Sequence, residues 1–348
     1  MKKRIAVLFG GSSSEHAISL QSAHAVISNL DRNSLDVVMV GITREGKWFH
    51  YTGDVDKIAD GRWEEEISHC IPAFIAPDRS IHGLVEWQED HPVVYHLDMA
   101  LPIMHGKNGE DGTIQGLIEL AGIRLIGCDT LCSALCMDKY RAHEIVRSCG
   151  IQVPLSLVIE RIASEEVIWE AIEEMQYPLF VKPVRAGSSI GITKVLQKEH
   201  LMEAITKAFQ YDEEVIIEEN VEGFEVGCAI LGRDCLTVGE VDEIELRQGF
   251  FDFKEKYSLG KSKIHMPARL DEETRQYVKE VAKSIYRVLG CRDFARVDLF
   301  VTPQKEIVFN EVNTIPGFTA HSRYPNMMKG MGLSFQELLK EIIHGEDV

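Results

Sequence analysis

The sequence predicts a multidomain protein of mixed class, with a doubly wound α/β domain at the N-terminus and α+β structure at the C-terminus. Its 348 residues are too many for one simple core, and a hydrophobic content of 45% is enough to fill several. Strand patterns at residues 4–9, 37–42 and 99–104 are separated by helical patterns, which is the alternation of a doubly wound sheet. From residue 224 onward strand patterns dominate.

The first domain is expected to span residues 1–134. Residues 4–9 predict a buried strand, Gly10 and Gly11 a turn, and a helix follows from about Glu15, with the preceding serines as candidate N-caps. This loop lacks the G-x-G-x-x-G fingerprint, and no acidic residue follows a second strand at the expected place. A dinucleotide site is therefore not predicted.

Two further domains are expected, at residues 135–222 and 223–348. The second begins with a helix that reaches Arg147 and carries strands at residues 179–183 and 213–219, with a glycine-rich loop between them. The expected elements of the third are strands at residues 225–231, 237–246, 295–301 and 306–313, and an amphipathic helix at residues 272–289. The third domain is therefore predicted to be α+β.

Composition argues against two classes of partner. A formal net charge of −18 is unsuited to the phosphate backbone of nucleic acids. No apolar run approaches the roughly 18 residues of a membrane-spanning helix, and the run after the basic N-terminus is too short for a signal peptide. We therefore expect a cytoplasmic protein with no membrane partner.

The eight cysteines include no C-x-x-C pair, which favours reduced, mostly buried thiols over disulfides or zinc. Cys128, Cys132 and Cys136 are spaced four apart, as neighbours on a helix are. Metal binding there stays open, and packing of small apolar side chains is the favoured interpretation.

A β-hairpin is predicted where residues 295–301 and 307–313 flank a turn. If the turn centres between Gln304 and Lys305, Asp298 lies opposite Glu311 and Arg296 opposite Asn313. These four side chains then share one face, because side chains alternate along a strand. Their carboxylate and amide oxygens are the ligands that Mg²⁺ prefers. The alternative is a solvated, salt-bridged face in which Arg296 neutralises the acids, and spacing alone does not decide between the two.

A nucleotide site is suggested by Lys182, which lies in an apolar strand and precedes a loop of small residues whose N–H groups suit phosphate oxygens. The order is not that of a Walker motif, so an ordinary hairpin loop is the alternative. Glu218 and Glu225 are candidate acceptors for a base and a ribose, although acids are commoner on surfaces. His105 opens a glycine-rich loop at the carboxyl end of a strand, where open α/β sheets bind ligands.

Taken in order, the motifs resemble those of the D-alanine:D-alanine ligases of the ATP-grasp superfamily over essentially the whole chain. The matching stretches are residues 10–16, 105–112, 137–139, 181–183, 187–189, 250–257, 296–298 and 311–319. The resemblance implies a three-domain ATP-grasp ligase, a homodimer, with ATP as co-substrate and two Mg²⁺ ions, for which Mn²⁺ is an alternative.

The resemblance also implies a role for each matching residue. Lys139 and Lys182 contact the ATP phosphates, Glu218 and Glu225 hold adenine and ribose, and the metal ligands are Asp298, Glu311 and Asn313. Glu15 receives the ammonium of the first D-alanine, His105 lies near its carboxylate, and Arg296 with the Gly317 N–H stabilises the oxyanion. Ser188 and Tyr257 link to Glu15, and Lys256 helps to close a lid at about residues 246–262 over the ATP.

The implied chemistry explains why these parts are needed. A carboxylate is a poor electrophile, so the γ-phosphoryl group of ATP activates it, and cations offset the charge that develops. The amine of the second substrate then attacks the acyl phosphate. Because water would hydrolyse that intermediate, a lid over the cleft has a clear purpose.

The second-substrate pocket, which the resemblance assigns to Phe251, Ser322 and Arg323, departs from the D-alanine-adding pattern. Residues 250–253 read Phe-Phe-Asp-Phe instead of Phe-Tyr-Asp-Tyr, and Arg323 replaces Leu or Met. Both departures resemble the D-alanine:D-serine ligases of one type of vancomycin resistance, since arginine offers donors to a serine hydroxyl. The intact Lys256-Tyr257 pair favours an amine nucleophile over D-lactate.

Two alternatives remain at this point. Arg323 could hold a substrate carboxylate or a nearby acid in any such enzyme, which would leave a D-alanine:D-alanine ligase of ordinary peptidoglycan synthesis. From a different class, the chain could be a nucleotide-binding regulator without turnover, although every catalytic role has an intact candidate residue.

Overall fold

The computed structural model describes residues 2–88, 91–187, 190–246 and 262–345. Within these residues the chain forms sheets of eight, four and six strands, in that order along the sequence. No helix in these ranges is long and apolar enough to cross a membrane. The domain boundaries at about residues 134 and 222 stay a prediction.

The first sheet combines a parallel and an antiparallel half. Its strands are β1 (Lys3–Gly10), β2 (Leu35–Ile42), β3 (Trp48–Tyr51), β4 (Cys70–Ile75), β5 (Gly83–Trp87), β6 (Pro92–His96), β7 (Met99–Ile103) and β8 (Arg124–Leu125), in the order β6-β5-β4-β3-β2-β1-β7-β8. Strands β2, β1, β7 and β8 are parallel, whereas β3 to β6 pair antiparallel. The helical pattern expected between residues 42 and 99 was wrong, because strands and short 3₁₀ turns occupy this segment.

The parallel half is doubly wound. Helix α1 (His16–Asn29) packs on Ile5, Val7 and Phe9 of β1, while α2 (Thr113–Leu120) packs on the alternate residues Ala6 and Leu8. Successive strand residues point to opposite faces, so the two helices cover opposite sides of the sheet. The carboxyl ends of β1 and β7 therefore open into one crevice.

The second sheet is antiparallel throughout. Its strands are β9 (Ser156–Glu160), β10 (Leu179–Pro183), β11 (Thr193–Val195) and β12 (Glu214–Glu219), in the order β11-β10-β12-β9. Helices α5 (Glu165–Ala171) and α6 (Leu201–Ala208) cover one face. Before it in the chain come α3 (Thr130–Met137) and α4 (Lys139–Ser148).

The third sheet carries the predicted hairpin. Its strands are β13 (Phe224–Leu231), β14 (Thr237–Val238), β15 (Asp242–Leu246), β16 (Ser262–His265), β17 (Phe294–Val301) and β18 (Ile307–Asn313), in the order β16-β15-β13-β17-β18 with β14 beside β13. The strand expected at residues 237–246 is two strands, separated at residues 239–241. Helix α7 (Glu272–Val288) packs beneath β13 and β17, close to its predicted bounds.

The last two helices return to the first sheet. Helices α8 (Arg323–Gly330) and α9 (Phe335–His344) share a core with α1 and β1, in which Met327, Leu338 and Ile342 are buried. A capping box of Ser334 and Glu337 begins α9. The loop from β18 to α8 is therefore held between the first and third sheets.

Candidate active site

Two cavities meet where the three sheets converge. The first, of about 390 Å³, is lined by residues from all three parts of the chain, among them Glu15, Gly187 and Arg296. The second, of about 560 Å³, lies between the second and third sheets. Both are of the size that holds small ligands. Lys139, Ala186 and Glu311 line both cavities, so ligands in the two would meet at these residues.

Glu15 stands at the start of α1, in the first cavity. It occupies the N-cap position that was expected for a serine, and its own N–H donates to Ser13 Oγ at 3.1 Å. A Cβ added at Gly106 would lie 2.6 Å from Glu15 Oε2, and one at Gly187 would lie 2.9 Å from it. The backbones of two loops thus enclose this buried carboxylate, as a site for an ammonium group requires.

The face of the predicted metal residues has the expected register. Arg296 pairs with Asn313 and Asp298 with Glu311 across β17 and β18. The turn differs from the one assumed, because Val301 pairs with Ile307 and the register shifts after Asp298. The shift leaves Asn310 as an extra, unpaired residue on β18. This bulge offsets the different turn, so that the pairs predicted at the site still form.

The oxygen donors of this face fit a hard divalent cation. Asp298 is 1% exposed and accepts two bonds of 2.8 Å from Arg296 Nε and Nη2, and one of 3.0 Å from Asn313 Nδ2. Glu311 and Asn313 line the first cavity beside it. Two carboxylates and an amide oxygen form the donor set that Mg²⁺ takes together with substrate phosphates, and Glu311 and Asn313 are the two that line the cavity.

The second cavity brings together the residues predicted to bind a nucleotide. Lys182, Glu218 and Glu225 line it, with Phe180 and Phe300 as apolar walls. Lys182 Nζ donates to Glu218 Oε2, and Lys139 Nζ donates to the Ala186 carbonyl at 2.6 Å. Among the described residues, the buried Glu218 Oε1 has no hydrogen-bond partner. An acceptor of this kind suits an amino group on a ligand.

Comparison with known proteins decides the family. The family model for the D-Ala-D-Ala ligase N-terminus matches residues 4–128, and the model for the C-terminus matches residues 145–344. The chain belongs to the D-alanine–D-alanine ligase family. It is therefore an ATP-dependent ligase, and the reading of it as a regulator without turnover loses its support.

Individual relatives of this ligase differ in the second substrate that their names state. A D-alanine–D-alanine ligase of Caldicellulosiruptor bescii is 41% identical over 98% of this chain and 94% of its own. A putative D-alanine–D-lactate ligase of Streptomyces coelicolor is 44% identical over 97% and 95%. The crystal structure of VanG D-Ala:D-Ser ligase from Enterococcus faecalis is 55% identical, with a TM-score of 0.92 and 99% of each chain covered. The fold is thus that of the ATP-grasp ligases, as the motifs predicted.

Arg323 of the ligase lies in the first cavity and is tied to three carboxylates. Its Nε and Nη2 donate to Asp242 at 2.8 Å each, Nη1 donates to Glu225 at 3.1 Å, and Nη1 lies 3.4 Å from Asp298. Gly227 makes room for it, because a Cβ there would lie 2.2 Å from Nη2. Asp242 was missed in the sequence, since its only signal was an acid in a strand.

His105 joins the first sheet of the ligase to the loop after β18. Its Nδ1 lies 2.9 Å from the Ile315 carbonyl, and its Nε2 lies 3.2 Å from Ser22 Oγ. Burial lowers the pKa of His105, although Glu15 and the Ile315 carbonyl oppose this. A neutral ring that donates from Nδ1 and accepts from the Ser22 hydroxyl satisfies both contacts.

The remaining predicted residues divide into two groups. Gly317 and Ser322 line the first cavity, and a Cβ at Gly317 would lie 2.8 Å from Ser322 Oγ. The second group lies outside the described residues and consists of Ser188, Phe251, Lys256 and Tyr257. The lid expected at about residues 246–262 also lies outside them, except for its two ends. These ends, Leu246 and Ser262, pair across β15 and β16.

Glu110 also lines the first cavity, and no role was predicted for it. One of its oxygens accepts from the Gly106 N–H at 2.7 Å, and the other lies 3.3 Å from the Ile315 N–H. Burial, and then the neighbouring Glu15, raise the pKa of Glu110 to about 8. The sequence offered one signal for a role of Glu110, which is its place in the matched loop at residues 105–112. Its raised pKa could not be predicted, because that depends on how the fold buries the carboxyl group.

Glu110→Gln should change how stability depends on pH. The folded state holds the Glu110 proton up to about pH 8, and the unfolded state releases it near 4.5. The stability that this proton contributes is thus complete below about pH 4.5 and lost as the pH rises to 8. Between pH 5.5 and pH 8.5 the free energy of unfolding, measured with urea, should fall by roughly 1–3 kcal/mol less in the variant than in the wild type. The control is Glu280→Gln on the exposed side of α7, whose free energy of unfolding should fall with pH as that of the wild type does.

Gly187→Ala should weaken binding of the first amino acid. The added methyl group displaces the Glu15 carboxylate from its position between Gly106 and Gly187. If Glu15 binds the ammonium of the first D-alanine, as the resemblance implies, loss of that bond corresponds to an increase of about 10- to 100-fold in KM for this substrate. Steady-state kinetics should show this with little change in KM for ATP. Gly116→Ala on α2, whose Cβ would make ordinary contacts from 3.5 Å, is the matched control.

Proposed function

We propose that this ligase joins D-alanine to D-serine through a D-alanyl phosphate intermediate, with ATP and two Mg²⁺ ions. The observation that carries the proposal is the meeting of the two cavities at Lys139, Ala186 and Glu311. ATP in the larger cavity would direct its γ-phosphate to this junction. An amino acid in the smaller cavity would present its carboxylate at the same place, in the geometry that phosphoryl transfer needs.

In the larger cavity, Glu218 would accept from the adenine amino group and Glu225 from the ribose. Lys139 and Lys182 would then lie along the phosphates, where each offsets part of their charge. Asp298, Glu311 and Asn313 would hold Mg²⁺, which neutralises phosphate charge when bound. Lys256 belongs to the same proposal for the nucleotide.

In the smaller cavity, Glu15 would bind the ammonium of D-alanine, with His105 near its carboxylate and Ser188 and Tyr257 in support. One carboxylate oxygen attacks the γ-phosphorus, and ADP leaves. The D-serine amine then attacks the acyl carbon, phosphate leaves, and the amine loses a proton. The guanidinium of Arg296 and the Gly317 N–H would stabilise the oxyanion that forms between these events.

D-Serine is proposed as the second substrate because Arg323 adds a cation to the cavity. A guanidinium carries more N–H groups than its bonds to Asp242 and Glu225 use, so it can also serve a serine hydroxyl or the water beside it. The 55% identity to VanG D-Ala:D-Ser ligase supports the same substrate. Phe251 and Ser322 would complete this pocket.

A D-alanine:D-alanine ligase is the second candidate, and one observation favours it. The guanidinium of Arg323 is fixed by Asp242 and Glu225, so Arg323 also has a purely structural explanation. A D-alanine ligase with Arg323 in that role would discriminate little against D-alanine as second substrate.

The deciding experiment is mass spectrometry of the products from ATP, Mg²⁺ and equal D-alanine and D-serine. The wild type should make mostly D-alanyl-D-serine. Arg323→Leu combined with Asp242→Asn, which removes the cation together with one of its buried partners, should shift the product to D-alanyl-D-alanine. Predominant D-alanyl-D-alanine from the wild type would reject D-serine, and an ester formed from added D-lactate would reject the amine preference.

We further propose a cytoplasmic homodimer that supplies the D-alanyl-D-serine end of peptidoglycan precursors. A dipeptide ending in D-serine presents an altered terminus to any antibiotic that binds D-alanyl-D-alanine. Light scattering of the purified protein should give the mass of two chains, and a mass of one chain would reject the dimer.

A further inference from the structure

Four buried cysteines converge at one point of the core beneath the third sheet. Cys128 precedes α3, Cys132 and Cys136 lie on α3, and Cys291 follows α7. Each is at most 7% exposed. Two segments far apart in the sequence thus direct their sulfur atoms to a single place, which the spacing within α3 alone could not show.

The distances between the sulfurs match those around a shared ion. Cys132 Sγ lies 3.6 Å from Cys291 Sγ and 3.9 Å from Cys136 Sγ. The sulfurs of Cys128, Cys132 and Cys291 all lie within 4.8 Å of one another. Zinc–sulfur bonds of about 2.3 Å in a tetrahedron place the sulfurs about 3.8 Å apart. Cys136 lies outside this group of three, beside Cys132, so it would have to turn toward the ion, whereas the other three sulfurs would need only small rotations.

The cluster is also accessible to an ion. Cys136 also lines the first cavity, so an ion in that cavity reaches the cluster through this side chain. Packing of small apolar groups does not require the sulfurs of Cys128, Cys132 and Cys291 to lie together, and Cys228 of the same core packs away from them.

We propose that Cys128, Cys132, Cys136 and Cys291 form a site for one soft divalent cation, Zn²⁺ or Cd²⁺, separate from the Mg²⁺ face. Binding exchanges protons for the ion: four thiols release four protons, and four metal–sulfur bonds form without any change of oxidation state. Sulfur ligands select such ions over Mg²⁺, which prefers oxygen.

Titration of the full-length, reduced protein with Cd²⁺ in excess Mg²⁺ tests the proposal. Ultraviolet absorbance from thiolate-to-cadmium charge transfer reports sulfur ligation, and equilibrium dialysis with metal analysis gives the stoichiometry. The wild type should bind one Cd²⁺ per chain with this absorbance. Cys132→Ser and Cys291→Ala should each bind at least tenfold more weakly, because each removes a ligand.

Cys235→Ser is the matched control, since Cys235 is exposed on the β13–β14 connection. It should bind Cd²⁺ as the wild type does. Urea unfolding without metal identifies the variants that fold, and two separate ligand variants guard against the failure of one. Absence of a stoichiometric charge-transfer band in the wild type, or equal binding by all four proteins, would overturn the proposal.

Discussion

If Arg296 has the proposed oxyanion role, Arg296→Lys is expected to lower kcat by about 10²- to 10³-fold, the usual effect of removing one oxyanion donor. The guanidinium is fixed by two bonds to Asp298, and it lines the cavity that Gly317 also lines. Lysine keeps the positive charge beside Asp298, but it replaces a rigid fork of donors with one mobile ammonium group. The loss should therefore fall on the chemical step.

The measurement is release of ADP in steady state, with urea unfolding to confirm that the variant is folded. KM for ATP should change less than kcat, because Arg296 lies outside the lining of the larger cavity and could reach the nucleotide only through Asp298. Arg275→Lys, on α7 beside Glu272, should keep wild-type kinetics. A folded Arg296→Lys enzyme with kcat within a factor of about five of wild type would exclude the oxyanion role.

The face predicted to bind metal shows how much can be predicted from strand periodicity alone. Alternation along two strands put Arg296, Asp298, Glu311 and Asn313 on one face, and the register confirms it. The turn that was assumed was wrong, and the bulge at Asn310 compensated for the error. A bulge shifts the pairing by one residue without leaving a hydrophobic signature, so the sequence could not reveal it.

Contacts between distant segments were beyond the sequence argument for a different reason. Asp242 pairs with Arg323 across 81 residues, and Cys132 approaches Cys291 across 159. Local patterns predict which face of a strand or helix a residue occupies, but not which element that face meets. The antiparallel half of the first sheet was missed similarly, because its short strands carried no clear alternation and were taken for helices.

Arg323→Leu is expected to destabilise the fold by about 3–5 kcal/mol, the range for removing one partner of a buried ion pair. Asp242 is 1% exposed, and without Arg323 the hydrogen-bond donor that remains to it among the described residues is the Gly227 N–H at 3.0 Å. Glu225 and Asp298 would face the same gap, so three carboxylates would share a site from which the cation has been removed.

A second substitution that removes a carboxylate separates the effect of the unpaired buried charges from the effect of lost side-chain packing. Arg323→Leu combined with Asp242→Asn removes one buried charge with its partner and should recover a large part of the lost stability. Urea unfolding at pH 7 gives the free energy of unfolding of the wild type, the single variant and the double variant. Arg62→Leu, which breaks an ion pair between the half-exposed side chains of Arg62 and Asp60, should leave the free energy of unfolding close to that of the wild type.

Equal stability of the single and double variants would show that the carboxylates near Arg323 are relieved by protonation or water, and that the guanidinium is not needed to hold them. Recovery in the double variant would instead assign Arg323 two tasks, because the cation that satisfies Asp242 is also the one that faces the substrate cavity. Substitution of Arg323 alone would then confound stability with specificity. The second substrate of this ligase is therefore best tested in a background where Asp242 has already been neutralised.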